Sequence, residues 1–411
     1  MGKWEIFKSR NFVMYWLGYL FSTLGDAIFI LTISWLIVKM TGSGVVMGTF
    51  LLFVGVPRVV FMLFGGIVVD RFSSRIVMFW SDTLRAVVLF TYAGTSLTGH
   101  VSLPFIFGLG TIFGIVDAFY WPAVTAIRQR IVHKEQYTQS NSVLTGTWQI
   151  AAIAGPLLGG VLINLFGFTL SFTLTAFSFL ISAATLFFIQ LLPIVKELVT
   201  EKKSVLSDML DGARFVAGSS ILLVIIVTAV FGNMAMSTIL VGLPFLAEEY
   251  GVGAPGLSQM QAGLGTGGIV ASILLSVFIV IRRPSLRAKM ATLFMQGTII
   301  FFIGFTQNHW QVAFLVALIG AAGATLGVLE QSISQMIIPQ HMMGRVYSII
   351  LIAAQGMTPV AQATSGWLID AVGVHEIYFY GGALGMLSGF IGFFTPAVIK
   401  YGTAAGETVK A

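Results

Sequence analysis

The chain contains no cysteine in its 411 residues, and only 9% of them are Asp, Glu, Lys or Arg. Without thiols, disulfides, thiolate metal sites and palmitoylation are excluded, and the redox compartment is left open. A soluble domain carries roughly 25% charged residues, so this scarcity of charge excludes that class. No G-x-x-x-x-G-K-[ST] loop is present to cradle nucleotide phosphates, which excludes ATP hydrolysis by that route. Neither H-E-x-x-H nor G-x-S-x-G occurs, and no nucleophile pairs with a histidine inside an apolar run, so an enzyme is not expected. His100, His133, His309, His341 and His375 fall in loops or at span ends, so neither a metal site nor a cofactor is expected. The alternating segments of ~10 residues that mark a transmembrane barrel are missing as well.

What the chain has is apolar length. Apolar residues make up 57% of it and the mean hydropathy is +0.94. Runs such as Phe12–Val38, Gly44–Val69 and Phe215–Leu246 exceed the ~20 residues that a helix needs to cross hydrocarbon. Breaks at charged, Pro, Gly or polar residues place spans at 12–38, 44–69, 76–97, 103–129, 139–166, 169–192, 215–247, 257–281, 288–305, 310–337, 346–370 and 376–399. The expected fold is an all-α membrane protein of twelve transmembrane helices.

On this map 19 of the 22 Lys and Arg residues lie on one side, and only Lys39 sits in a loop on the other. Arg58 and Arg85 lie within spans. The positive-inside rule makes the basic side cytoplasmic and places both termini there. The net charge of +6 is explained by this bias and by anionic headgroups, and nucleic acid is not an expected partner. The first run is too long for a cleaved signal peptide and contains Asp26, so it is expected to stay as a helix. Met1-Gly2 is followed by Ile6 where a myristoylation motif wants Ser or Thr.

The longest polar break, Pro193–Arg214, reads as a cytoplasmic linker with an interfacial helix. It divides the chain into a six-helix half at 1–192, the linker at 193–214, a second six-helix half at 215–400 and a tail at 401–411. The halves repeat weakly at an offset of about 206, with Gly25-Asp26 opposite Gly232-Asn233 and Gly160 opposite Gly366. A parallel duplication with a cavity near the midplane is one transporter architecture.

Motifs sharpen this reading. Gly66-Ile-Val-Val-Asp70-Arg71-Phe-Ser-Ser-Arg75 resembles the loop 2–3 motif of the major facilitator superfamily, with Ser73 in place of its second glycine. Gly155-Pro156-Leu-Leu-Gly159-Gly160 resembles the fifth-helix motif of that family's exporters, with Ala151 replacing an earlier glycine. Its small residues permit close helix approach, and Pro156 removes a backbone hydrogen bond and is expected to bend the helix. Asp82-Thr-Leu-Arg85, Phe119-Tyr-Trp-Pro122-Ala123 and Gly344-Arg345-Val346-Tyr347-Ser348 are similar to the branch containing macrolide efflux proteins and enterobactin exporters. The resemblance implies two pseudo-symmetric six-helix halves and secondary transport in the export direction. Gly66, Asp70, Arg71, Arg75, Asp82, Arg85, Gly344 and Arg345 are grouped as a cytoplasmic gate, in which Asp70 meets the N-terminus of span eleven.

The most physical clue is charge within apolar runs, because an ionised group near the bilayer centre costs ~2.5–3.5 kcal/mol even on lenient scales. Asp26, Arg58 and Asp117 each sit about 14 residues into their spans, at similar depth. Asp26 and Asp117 are the expected proton-coupling carboxylates and Arg58 their charge partner. Cavity-lining candidates are Tyr15, Ser22, Trp121, Asn233, Ser237, Glu330, Gln355, Thr358 and Gln362. The second-half positions opposite the three charges are neutral, so the charged equipment is expected in one half. The expected function is export of small amphiphilic, drug-like molecules in exchange for protons, with Na+ an alternative ion, by a monomer in the cytoplasmic membrane. The alternatives are export of a siderophore or lipid, import of a nutrient, and a non-transporting sensor or assembly subunit.

Overall fold

The computed structural model describes residues 5–98, 102–128, 130–133, 136–190, 205–277, 285–339 and 342–399. Among them there is no strand. A 3-10 turn at Glu5–Lys8 precedes α1 (Arg10–Thr41), α2 (Gly44–Arg71), α3 (Ser74–Thr98), α4 (Leu103–Arg128) and α5 (Tyr137–Phe187). A shorter helix, α6 (Val205–Ala217), is followed by α7 (Ser220–Glu249), α8 (Gly253–Val277), α9 (Leu286–Ile303) and α10 (His309–Ile337). The last three are α11 (Met343–Gly356), α12 (Thr358–Val372) and α13 (Val374–Phe394).

Local chemistry sets the ends. The Ser9 hydroxyl accepts from the Phe12 amide at the start of α1, and Gly42 closes that helix at φ 58°. Ser43 then caps α2 by accepting from the Val46 amide, so two residues complete the reversal. Asn308 does the same for α10 through the Gln311 amide.

Eleven helical segments among the described residues are long and apolar enough to cross a membrane. One of them, α5, is 51 residues long and departs from helical geometry at Gly167 (φ 74°, ψ −178°). It therefore carries two of the expected spans, which accords with twelve. The expected bend at Pro156 is not where the helix departs from regular geometry; only glycine tolerates the backbone angles of Gly167. Span eleven also differs from expectation. It is interrupted after Gly356, and α12 restarts with Pro359 in its first turn, where a missing N–H costs nothing.

The described residues form two compact units, one from Met1–Glu197 and Ala247–Ala262, the other from Leu198–Leu246 and Gly263–Ala411. In the first unit α1 packs on α5, α2 on α4 and α3 on α5 and α4. Glycines bring these backbones together: a side chain at Gly155 would meet Ala27 of α1, and one at Gly114 would meet the backbone of Val54 in α2. Gly114→Ala is expected to cost about 1–3 kcal/mol, because rigid backbone cannot yield. The thermal midpoint in detergent checks this, against Gly94→Ala, where the added methyl meets nothing within 4 Å.

Lys39 at the end of α1 pairs with Glu248 at 2.8 Å, both side chains about half exposed at 47% and 46%. Such a pair contributes under ~1 kcal/mol. Lys39→Ala and Glu248→Ala should therefore leave the thermal midpoint nearly unchanged.

The second unit is built around α9, which packs on α13 and α10. Its core includes Leu222, Ile225, Leu286, Ile333, Val346 and Ile350, and α6 packs on α11.

Candidate functional site

Four helices of the first unit bring ionisable side chains together. Arg85 of α3 is fully buried and forms the hub. Its Nη2 donates to Asp117 of α4, its Nη1 lies 3.4 Å from Asp82 one helical turn back, and the same Nη1 is 3.7 Å from Asp26 of α1. Its guanidinium also lies over the ring of Tyr120, 4.3 Å from the centroid, with Phe179 at 5.4 Å and Phe113 at 5.5 Å. Rings on these sides exclude water and offer a quadrupole to the cation.

The three carboxylates are held differently. Both oxygens of Asp82 accept hydroxyls, from Ser22 at 3.1 Å and from Ser182 at 2.6 Å, and the carboxylate is fully buried. Asp117 lies between two guanidiniums, with Oδ1 accepting from Arg85 and Oδ2 taking Nε of Arg58 at 2.8 Å. Asp26 is the least secured. Its Oδ1 is buried without a hydrogen bond, its only ionic contact among the described residues is the long one to Arg85, and its side chain is 20% exposed. Arg58 is 40% exposed. Three carboxylates face two guanidiniums, so the fully ionised cluster has an excess negative charge on its half-open edge.

The structure thus joins Arg58 to Asp117 directly and Asp26 to Asp117 through Arg85, which was expected with Asp82 in the cytoplasmic gate. Asp82 and Arg85 both lie in the buried cluster and not in a gate. Of the other gate residues, Arg71 is exposed and Arg75 donates to the Ile189 carbonyl at 2.6 Å, tying the start of α3 to the chain after α5. Arg345 is half-buried in α11. Gly66, Asp70 and Gly344 belong to helices but lie outside the residues whose side chains are described, and so does the latch expected of Asp70. The Gly155–Gly160 motif packs on α1, with Gly159 against Ile28 and Leu31, while Gly160 abuts Ser258 and Ala254 of α8 and Pro156 is buried.

Several expected cavity residues are packed instead. Tyr15 is fully buried and donates to the Val124 carbonyl at 3.0 Å, and Ser22 is consumed by Asp82. Ser237 is buried and donates to the Asn233 carbonyl at 2.9 Å, while Asn233 donates to Ala229 at 2.9 Å. Both satisfy their own helix. Trp121 is half-buried against Tyr120. Gln355 is exposed on α11, whereas Thr358 and Gln362 belong to α12, so the expected stripe is divided by the break. Glu330 pairs with Lys289 at 3.4 Å, and Lys289 is only 3% exposed. A charge pair with a buried lysine therefore lies in the second unit as well, so charged groups within spans are not confined to one half, although the positions opposite Asp26, Arg58 and Asp117 are neutral. Among the described residues no group of three or more His, Cys, Asp or Glu could hold a metal ion.

Long apolar helices carrying a buried, partly open ion cluster are the build of a membrane carrier. The chain belongs to the Major Facilitator Superfamily, whose profile matches residues 15–362, and it is a transporter of that family. It is 24% identical over 385 residues to the multidrug efflux pump Tap of Mycolicibacterium fortuitum, covering 90% of this chain and 92% of that one. It is 21% identical to macrolide efflux protein A of Streptococcus pyogenes, over 93% and 95% of the two chains. It is 24% identical to the enterobactin exporter EntS of Shigella flexneri, over 76% and 78%. Among solved structures, the nucleoside transporter NupG superposes with a TM-score of 0.77 at 13% identity, covering 95% of this chain and 99% of that one. A D-xylose-proton symporter gives 0.74 at 14% identity, over 95% and 98%. These likenesses show the fold.

Proposed function

We propose that the protein exports small amphiphilic molecules across the cytoplasmic membrane in exchange for protons, by alternating access, with Asp26 as the proton-carrying group. The observation that carries this reading is the unequal securing of three carboxylates around one buried arginine. Asp82 is saturated by hydroxyls and Arg85, and Asp117 is held by two cations, so the contacts of both are complete. Asp26 has an oxygen without a hydrogen bond and an edge open to its surroundings, so a proton there removes the excess negative charge at least structural cost. Relatives named for drug, macrolide and enterobactin efflux support the direction and the substrate class. Two pseudo-symmetric halves at 1–192 and 215–400, both termini on the cytoplasmic side and a monomeric state complete the proposal.

The test is transport in proteoliposomes with an imposed pH gradient, scanning lipophilic antibiotics, dyes and siderophores. Substrate movement against the proton flux supports exchange. A response to Na+ alone would discard the proton, and movement with the proton flux would favour the second reading, import of a nutrient. That reading draws on the fold shared with a nucleoside transporter and a D-xylose-proton symporter.

A further inference from the structure

The ion cluster leaves a separate feature of the second unit unused. Where α9 meets α13, a crease of about 230 Å³ is lined by Met290, Ala291, Phe294, Gly389, Phe390 and Phe393. Gly389 lets the two helices meet closely at its floor, because a side chain there would run into the backbone of Met290 and Phe294. Phe390 and Phe394 on its rim are 53% and 58% exposed, an apolar surface that in a spanning helix pair faces acyl chains.

Arg287 stands at the mouth. It is the second residue of α9, is exposed, and its guanidinium lies 5.9 Å from the Phe393 ring centroid. Among the described residues no carboxylate pairs with it. On α9 the crease is lined from Met290 to Phe294, and Phe294 lies seven residues and ~10 Å along the helix from Arg287. A cation at the water boundary above an apolar crease matches one amphiphile of the bilayer: an anion on top, hydrocarbon below.

We infer that the α9–α13 crease is a binding site for an anionic phospholipid, with the phosphate headgroup at Arg287 and an acyl chain along Ala291, Phe294 and Phe390. Zwitterionic phospholipid fits less well, because its own cation opposes Arg287.

The full chain in mild detergent is titrated with phosphatidylglycerol, phosphatidylcholine or glycerol phosphate, and bound lipid is read by native mass spectrometry. One basic side chain near the surface supplies ~1 kcal/mol, so phosphatidylglycerol should be retained about fivefold over phosphatidylcholine. Arg287→Gln should reduce that preference to about onefold. Ala291→Trp, at an exposed position, should fill the crease and displace the lipid while leaving Arg287 in place. Unchanged thermal midpoints without lipid confirm that both variants fold. Equal retention of the two lipids, full preference in either variant, or saturation by glycerol phosphate alone would overturn the site.

Discussion

Asp26→Asn is expected to reduce pH-gradient-driven transport to the level of empty liposomes while expression and substrate counterflow persist. The amide keeps the volume of the carboxylate and disturbs one ionic contact of 3.7 Å, so the fold has little to lose. What disappears is the group able to gain and release a proton. Counterflow moves substrate without net proton movement and so separates coupling from binding. Asp117→Asn should behave differently. It removes the anion between two guanidiniums, leaving Arg58 and Arg85 facing each other, so folded yield should fall together with transport. Wild-type gradient-driven transport in Asp26→Asn would remove this residue from the mechanism and leave the fold untouched.

Arg85→Gln is expected to abolish most folded protein. The side chain is fully buried and is the shared cation of Asp26, Asp82 and Asp117. Taking one partner from a buried pair costs about 3–5 kcal/mol, comparable with the whole stability of many domains. Arg85→Lys should rescue only partly, since an ammonium cannot reach two carboxylates in the fork geometry of a guanidinium or lie flat on Tyr120. Adding Asp82→Asn to Arg85→Gln should restore yield relative to Arg85→Gln alone, because the unpaired charge is removed with its partner. Size-exclusion profiles of fluorescent fusions read all three. Wild-type yield for Arg85→Gln would mean that the carboxylates are compensated elsewhere.

Much of the architecture was legible along the chain. Unbroken apolar runs reported the spanning helices, because hydrocarbon forces every backbone group to be satisfied within its own helix. The reversal at Gly42-Ser43 carried its turn chemistry in the residues themselves. Asp26, Arg58 and Asp117 were conspicuous because charge within such runs is expensive. Asp82 and Arg85 were visible too, yet their motif context pointed to the gate. Their depth pointed to the cluster only once α3 was seen beside α1, α4 and α5. Ser22 was expected to line the cavity and instead holds Asp82, while Ser182 gave no signal, since hydroxyls in spanning helices usually bond their own backbone, as Thr32, Thr175 and Thr228 do here.

Sequence alone determined the membrane class, the helical spans and the membership of a transporter superfamily, since each is written in the local order of apolar, small and charged residues. Tertiary structure alone decided which acids share Arg85, that Asp26 is the one left loosely held, and that Lys289 meets Glu330. Those facts depend on the rotation and register of helices distant in the chain. Ser182 reaches Asp82 across 100 residues, and no local pattern encodes that contact.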